Sequence, residues 1–286
     1  MGWVTEKGVA MILVTGAAGG SQGGTGRLVA ELLLERGHQV RAFVRRDDHR
    51  AEELKKRGAE VVVGDLREVS QVVKAFEGVS RVYFTYPVTA GLLDATASVA
   101  AAAKRAGVER VVEVSQLDAS PEAFTPRMRR HWLSEQVFDW ADVGAVHLRA
   151  AVFFENLKVA AGERELALPL GAPDTKIPLI AAEDVARVAA GFLEEAGPVD
   201  RVVPLTGQMA TAGEAAAALG LEYVDVAPEV WEERAMERYQ DPYTVDHLTH
   251  LWGIFRFIGS GDHPLYRVTD VIERVGGRAP LLIGRS

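Results

Sequence analysis

Hydrophobic and polar positions along the first half of the chain alternate between two periods. Met11–Thr15 (MILVT) is an unbroken apolar run, the pattern of a strand covered on both faces. From Gly24 to Arg36 the pattern turns helical: Leu28, Leu32 and Glu35 share one ladder, Leu32–Leu34 broaden its apolar side, and Gly37 supplies a stop. The same exchange then repeats. Strands are predicted at Gln39–Val44, Glu60–Val63, Arg81–Thr85, Arg110–Ser115 and Ala145–Arg149. Helices are predicted at Asp48–Arg57 (ending at Gly58), Val69–Phe76, Gly91–Ala106 and Arg127–Ala141. A βαβα rhythm with right-handed crossovers predicts an α/β fold, a Rossmann-type doubly wound parallel sheet with helices on both faces. Ligands of such sheets bind outside the carboxyl ends of the strands, so the residues just after each strand are the ones to inspect.

Beyond Ala151 the rhythm breaks. Pro169, Pro173, Pro178, Pro198 and Pro204 punctuate short segments, helices are predicted at Ala182–Glu194 and Thr211–Leu219, and aromatic residues become frequent between Trp231 and Tyr266. This half is read as a smaller C-terminal substrate lobe over the carboxyl edge of the sheet. The division is residues 1–10 as an N-terminal extension, 11–150 as the dinucleotide-binding domain, and 151–286 as mostly substrate lobe with some segments returning to the first domain. The length of 286 residues suits that arrangement.

Composition narrows the function. The net charge of −8 argues against direct nucleic-acid binding, which calls for a basic patch. With no cysteine there is no disulfide, thiolate nucleophile or cysteine-ligated zinc, and the chain fits a reducing cytoplasm. Met1–Ala10 lacks the apolar run of a signal peptide. No apolar run approaches the roughly 18–20 residues of a membrane span; the alanine-rich Ala95–Ala103 reads as a packed helix. The expected partner is a small-molecule substrate, with the chain a monomer or homodimer.

Between the first strand and first helix lies Thr15-Gly16-Ala17-Ala18-Gly19-Gly20-Ser21-Gln22-Gly23-Gly24-Thr25-Gly26-Arg27. Glycines let the backbone turn tightly beside a pyrophosphate, and the helix N-terminus offers free N–H groups and a positive dipole end. The strand–loop–helix context makes this a cofactor loop. Gly16 and Gly19 open a G-x-x-G-x-x-G spacing whose third position is Gln22, while Gly20, Gly23 and Gly26 repeat it in another register. The simplest account is a loop roughly four residues longer than usual. Gly16 then ends the strand, Gly26 sits at the helix packing, and the middle glycines with Ser21 and Gln22 face phosphate or substrate.

Where an NAD-specific unit carries an acid at the end of its second strand, this chain has Arg45-Arg46. Guanidinium groups there suit a 2′-phosphate, which points to NADP(H). Asp47 and Asp48 follow, so NAD(H) stays open. Gly64-Asp65-Leu66 ends the third strand, where the Asp65 carboxylate suits the adenine amino group.

The stretches ILVTGAAGG…GTGRLV, HQVRAFVRR, VVVGDLRE, AAAKRAGVERVVEVSQL, HWLSEQVFDW, HLRAAVFFENL and IPLIAAEDVARVAA together resemble the NmrA-like branch of the atypical short-chain dehydrogenase/reductases, from Met11 to about Pro280. The resemblance implies the fold and two functions. One is an NAD(P)H-dependent quinone or azo-dye reductase; the other is a regulator that binds dinucleotide without turnover.

The usual short-chain dehydrogenases pair a proton-donating Tyr with a Lys four residues on. None of Tyr83, Tyr86, Tyr223, Tyr239, Tyr243 or Tyr266 has that Lys; His131 and Glu135 stand at those places, and Ser115 stands where the family's catalytic serine sits. Carbonyl reduction by the usual pair is therefore not expected, and an epimerase or dehydratase ranks last. A quinone-like acceptor demands less, since solvent or a single acid such as His131 supplies the proton. His131 and Glu135 read equally well as an i,i+4 surface pair. Thr85-Tyr86-Pro87 and Ser115-Gln116 follow strands, and Phe153, Phe154, Glu155 and Asn156 match the family's segment beside the nicotinamide. Trp231, Tyr239, Tyr243 and Trp252 are candidates for an aromatic lid, or for core packing. His247 and His250, three apart, have no evident third ligand, so no metal is expected.

Overall fold

The computed structural model describes residues 10–20 and 24–285; most of the 1–10 extension lies outside them. The first half runs β1 (Met11–Thr15), α1 (Thr25–Glu35), β2 (Gln39–Val44), α2 (His49–Lys56), β3 (Glu60–Val63) and α3 (Val69–Ala75). It continues through β4 (Val79–Phe84), α4 (Leu92–Ala106), β5 (Arg110–Gln116), α5 (Pro126–Ala141) and β6 (Ala145–Ala150). The strands form a parallel sheet in which β1 lies between β2 and β4, so the chain order reverses beside β1. Such a reversal opens a crevice at the carboxyl edge.

Side chains of successive strand residues enter opposite layers, which is why the runs are apolar throughout. Ile12 and Val14 pack with Val29 and Leu33 of α1, whereas Leu13 packs with Val82, Phe84 and Val99 on the other face. Phe84 meets Phe138 of α5 edge-to-face at 5.3 Å.

The second half runs β7 (Val152–Phe153), α6 (Phe154–Ala160), β8 (Glu165–Leu168), β9 (Lys176–Ile180), α7 (Ala182–Glu194), β10 (Val202–Leu205) and β11 (Gln208–Thr211). Then follow α8 (Ala212–Ala218), β12 (Glu222–Asp225), α9 (Pro228–Tyr239), α10 (Pro242–Ile258) and α11 (Val271–Gly276). Part of it returns to the first domain. β10 adds a seventh parallel strand beside β6, giving the order β3-β2-β1-β4-β5-β6-β10, and Val185 and Val188 of α7 and Ile272 of α11 join the α1 layer. Pro204 is tolerated in β10 because the strand lies at the sheet edge. The remainder forms a lobe with its own core, in which Leu157, Leu166, Trp231 and Trp252 pack around the β11-β9-β7 and β12-β8 sheets. No described helix is long and apolar enough to cross a membrane.

The tightest packing on the site side joins α1 to β1. A Cβ on Gly26 would lie 2.4 Å from the Thr15 carbonyl oxygen and 2.7 Å from the Gly16 carbonyl, all backbone atoms. Gly26→Ala is expected to cost about 1–3 kcal/mol through overpacking. Gly20→Ala, which meets nothing within 4 Å, leaves stability nearly unchanged. Thermal unfolding of the two variants checks this; equal melting temperatures would contradict it.

Candidate functional site

The carboxyl ends of the parallel strands and the second lobe enclose a cavity of about 700 Å³. At its floor the backbone of the β1–α1 loop turns through left-handed residues, Gly16 (φ +64°) and Gly19 (φ +73°), and the Gly19 N–H donates to the Gly16 carbonyl at 3.0 Å. Thr15 Oγ1 donates to the Thr85 carbonyl (3.0 Å) and accepts from the Thr85 N–H (2.9 Å), so the loop is tied to the end of β4. A Cβ on Gly16 would lie 2.8 Å from Thr85 Cγ2. α1 starts at Gly24 (φ +62°) with no side-chain cap and no acid in its first turn, leaving its first N–H groups for an anion. A bare helix N-terminus beside a cradle that side chains would fill fits a dinucleotide pyrophosphate. Gly16, Gly19, Gly20 and Gly26 all line the cavity; Ser21, Gln22 and Gly23 lie outside the described residues.

At one end the lining is cationic, with Arg45, Arg46 and Arg50 facing Asp65 and Leu66. Arg45 pairs with Asp65 at 3.2 Å, and Arg67 pairs with the same carboxylate at 2.7 Å. Arg67 above all, with help from Arg45, holds the Asp65 carboxyl down to about 2. The carboxylate expected to meet adenine is thus already engaged by guanidinium groups. Arg50, which the sequence reading did not single out, donates to the Gly19 carbonyl (3.3 Å) and pairs with Asp48 (2.6 Å), linking α2 to the glycine loop.

At the other end the cavity is lined by Thr85, Tyr86, Pro87, Ser115, Gln116, Phe153 and Asn156 from the strand ends, and by Trp231, Tyr239 and Trp252 from the second lobe. Phe154 and Tyr243 are not among the lining residues. Phe154 opens α6 with its side chain buried in the second-lobe core, on the side opposite Phe153. The Tyr243 hydroxyl accepts from Arg130 Nη1 (2.9 Å), whose guanidinium carbon lies 5.3 Å from the ring centroid.

The two residues expected to move protons sit differently from that expectation. Ser115 Oγ donates to Glu135 Oε1 at 2.6 Å, and Glu135 pairs with Arg149 at 2.6 Å. The serine's one proton is therefore committed, and it offers the cavity an acceptor. His131 is buried against the cavity. Burial, with the nearby Arg127 and His247, pushes its imidazole well below the usual range, so at neutral pH it is not an imidazolium acid. His131 and Glu135 are not a surface pair either, because the packed side of α5 is polar: Arg127, His131, Ser134 and Glu135 are all buried. Beneath Ser115, His147 Nδ1 and Ser134 Oγ bond Glu113 at 2.6 and 2.8 Å, fixing α5 to β5 and β6.

Sequence reasoning missed Arg127 and Met128 of α5 and a row from α10, His247, Leu248, Leu251 and Phe255, all of which line the cavity. The signal was present in the i, i+4 spacing of 247, 251 and 255. Burial holds the His247 imidazole down to about 3. His250 is exposed and bonds the Asp246 carbonyl of its own helix (2.7 Å). No cluster of three metal-ligating side chains occurs among the described residues.

Residues 20–196, more than half of the chain, match the family model described as NAD(P)H-binding. The chain is 33% identical over 281 residues to the NAD(P)H azoreductase of Xenophilus azovorans, covering 94% of this chain and 93% of that protein. Among solved structures it resembles the Citrobacter sp. triphenylmethane reductase complexed with NADP(H), with a TM-score of 0.78 and 21% identity over 96% of this chain and 98% of that one. It also resembles the NADPH-dependent quinone oxidoreductase of Escherichia coli complexed with NADPH, with a TM-score of 0.78 and 23% identity over 96% and 97% of the two chains. These structural likenesses are of fold; the family model and the azoreductase carry the kinship. The chain belongs to the NAD(P)H-binding family.

Proposed function

We propose that this protein is an NADP(H)-dependent oxidoreductase whose acceptor is a flat, quinone-like or azo-type aromatic molecule. The observation that carries this reading is one continuous cavity, cationic at the end of β2, glycine-floored at the head of α1 and aromatic under the second lobe. When bound, the reduced nicotinamide supplies a hydride.

The roles of the chain's own residues follow from their chemistry. Arg45 and Arg46 suit the 2′-phosphate: both are exposed, and Arg46 has no carboxylate partner among the described residues. The uncapped N-terminus of α1 and the glycine backbone suit the pyrophosphate. Thr85, Tyr86, Pro87, Phe153 and Asn156 would orient the nicotinamide end. Gln116, Trp231, Tyr239 and Trp252 would hold a planar ring and exclude water. Ser115, whose O–H donates to Glu135, would receive a hydrogen bond from a ligand rather than donate one. With the Ser115 O–H engaged by Glu135 and His131 neutral, the reading favours an acceptor that takes its proton from solvent. Quinones and azo compounds permit that, whereas simple ketones do not. The cysteine-free composition suits work in the cytoplasm.

The test is anaerobic incubation with NADPH and three acceptor types: a naphthoquinone, an azo dye and a simple ketone. Oxidation of NADPH by the quinone or the dye, and not by the ketone, is expected. Binding of NADPH with no oxidation by any acceptor would instead favour a non-catalytic NADP(H)-sensing regulator.

A second expectation concerns pH. Burial above all, with Arg127 and His247, holds the His131 imidazole well below its ordinary value, so it stays neutral across the range in which a free histidine titrates. The kcat/KM profile for the quinone should show no limb from this group in that window. A limb there that disappears in His131→Asn would contradict the assignment.

A further inference from the structure

The cavity has charge at both ends. Its charged lining residues are Arg45, Arg46, Arg50 and Asp65 near the glycine loop, and Arg127 alone from α5, in a chain whose net charge is −8. The first group is accounted for by a phosphorylated cofactor. Arg127 is not.

Three features make its position unfavourable unless something answers it. It is buried at 4% exposure, and taking a guanidinium out of water is costly without a paired anion. The groups that act on its charge are Tyr243, Arg130 and Tyr86, with no carboxylate among them, and burial lowers it only to about 10, leaving it charged. It also stands in the first turn of the 16-residue α5, at the helix end whose dipole disfavours a cation. Nη2 donates to the carbonyls of Tyr86 (3.3 Å) and Pro87 (3.2 Å), while Nη1 has no partner.

Arg127 is not the only unanswered group here. Among the described residues, eight buried side-chain polar atoms lack a hydrogen-bond partner, and five of them belong to residues lining this cavity: Gln116, Arg127, His131, His247 and Trp252. Arg127 Nη1 and Trp252 Nε1 can only donate. Each imidazole keeps one N–H when neutral, and both resist protonation partly because Arg127 is near. Gln116 Oε1 is the one acceptor among the five, so this cavity end, with one full positive charge, more unpartnered donors than acceptors and no carboxylate, calls for a ligand that carries an anionic group.

We propose that Arg127 is the recognition residue for a negatively charged group, a carboxylate or sulfonate carried on the aromatic ring of the acceptor, with His131, His247 and Trp252 as supporting donors. This rests on the aromatic-acceptor reading above and narrows it to acidic aromatic molecules. The anion would neutralise the guanidinium, oppose the helix dipole favourably, and set the ring's direction beneath Trp231 and Trp252. A neutral ring of the same shape would leave the charge of Arg127 buried and unmet.

Calorimetric binding of naphthalene-2-carboxylate, naphthalene-2-sulfonate and the neutral naphthalene-2-carboxamide to the protein saturated with NADP⁺ tests this without turnover. The bound cofactor occupies Arg45 and Arg46, so binding by an acid reports the other end. Either acid should bind at least roughly tenfold tighter than the amide, as a desolvated charge-assisted pair allows. Arg127→Met should lose that preference while still binding the amide, and Arg127→Lys should keep part of it. Equal binding of acids and amide by the wild-type protein, no binding of either acid, or an unchanged preference in a folded Arg127→Met would each overturn the assignment. If Arg127→Met does not fold, the wild-type comparison alone decides. Oxidation of NADPH by a neutral naphthoquinone alongside any of those results would leave the reductase reading standing and remove only the role of Arg127.

Discussion

The contact on which the site depends is the close approach of α1 to the end of β1, where Gly26 sits against the Thr15 and Gly16 carbonyls with no room for a side chain. That approach brings the uncapped start of α1 to the carboxyl edge of the sheet, beside the point where strand order reverses. It also fixes Thr15, whose hydroxyl and the Thr85 backbone exchange two hydrogen bonds and hold the β4 end level with the loop. The glycine loop and the end of β4 are thereby set relative to one another by backbone packing and a single side-chain hydroxyl. Side chains are left to decide which cofactor and which acceptor are taken.

α5 performs the second task through an unusual packed face. In most helices the buried stripe is apolar, but here it carries Arg127, His131, Ser134 and Glu135. Glu135 accepts a hydrogen bond from the Ser115 hydroxyl and pairs with Arg149, and Ser134 bonds the Glu113 that also holds His147. One part of that face is thus saturated by partners within the protein. The other part, Arg127 and His131, faces the cavity with unpartnered nitrogens. The division separates what anchors the helix from what remains to meet a ligand.

The first domain was readable because its strands are covered on both faces, so each appears as a short apolar run between helical patterns; β1, β2 and β3 have the predicted bounds and the others shift by a residue or two. β10 was missed because Pro204 interrupts a four-residue edge strand. α9 and α10 are not among the predicted helices although each opens with Pro at its first position and Asp241 caps α10. The cavity residues at the strand ends followed from the α/β rule. Arg127 and His247 did not, because whether a polar residue on a helix faces water or a closed cavity depends on which elements cover it. Phe154 and Tyr243 show the same limit, each one position from a cavity-lining residue or turned toward Arg130 instead.

On the proposed function, the glycine cradle and the arginines at the end of β2 form a single site for a phosphorylated nicotinamide dinucleotide. Its most direct test is calorimetric titration of the protein with NADPH and, separately, with NADH. One NADPH bound per chain, at least roughly tenfold tighter than NADH as expected for a phosphate met by guanidinium groups, is the predicted result. Absence of NADPH binding, or tighter binding of NADH, would contradict it.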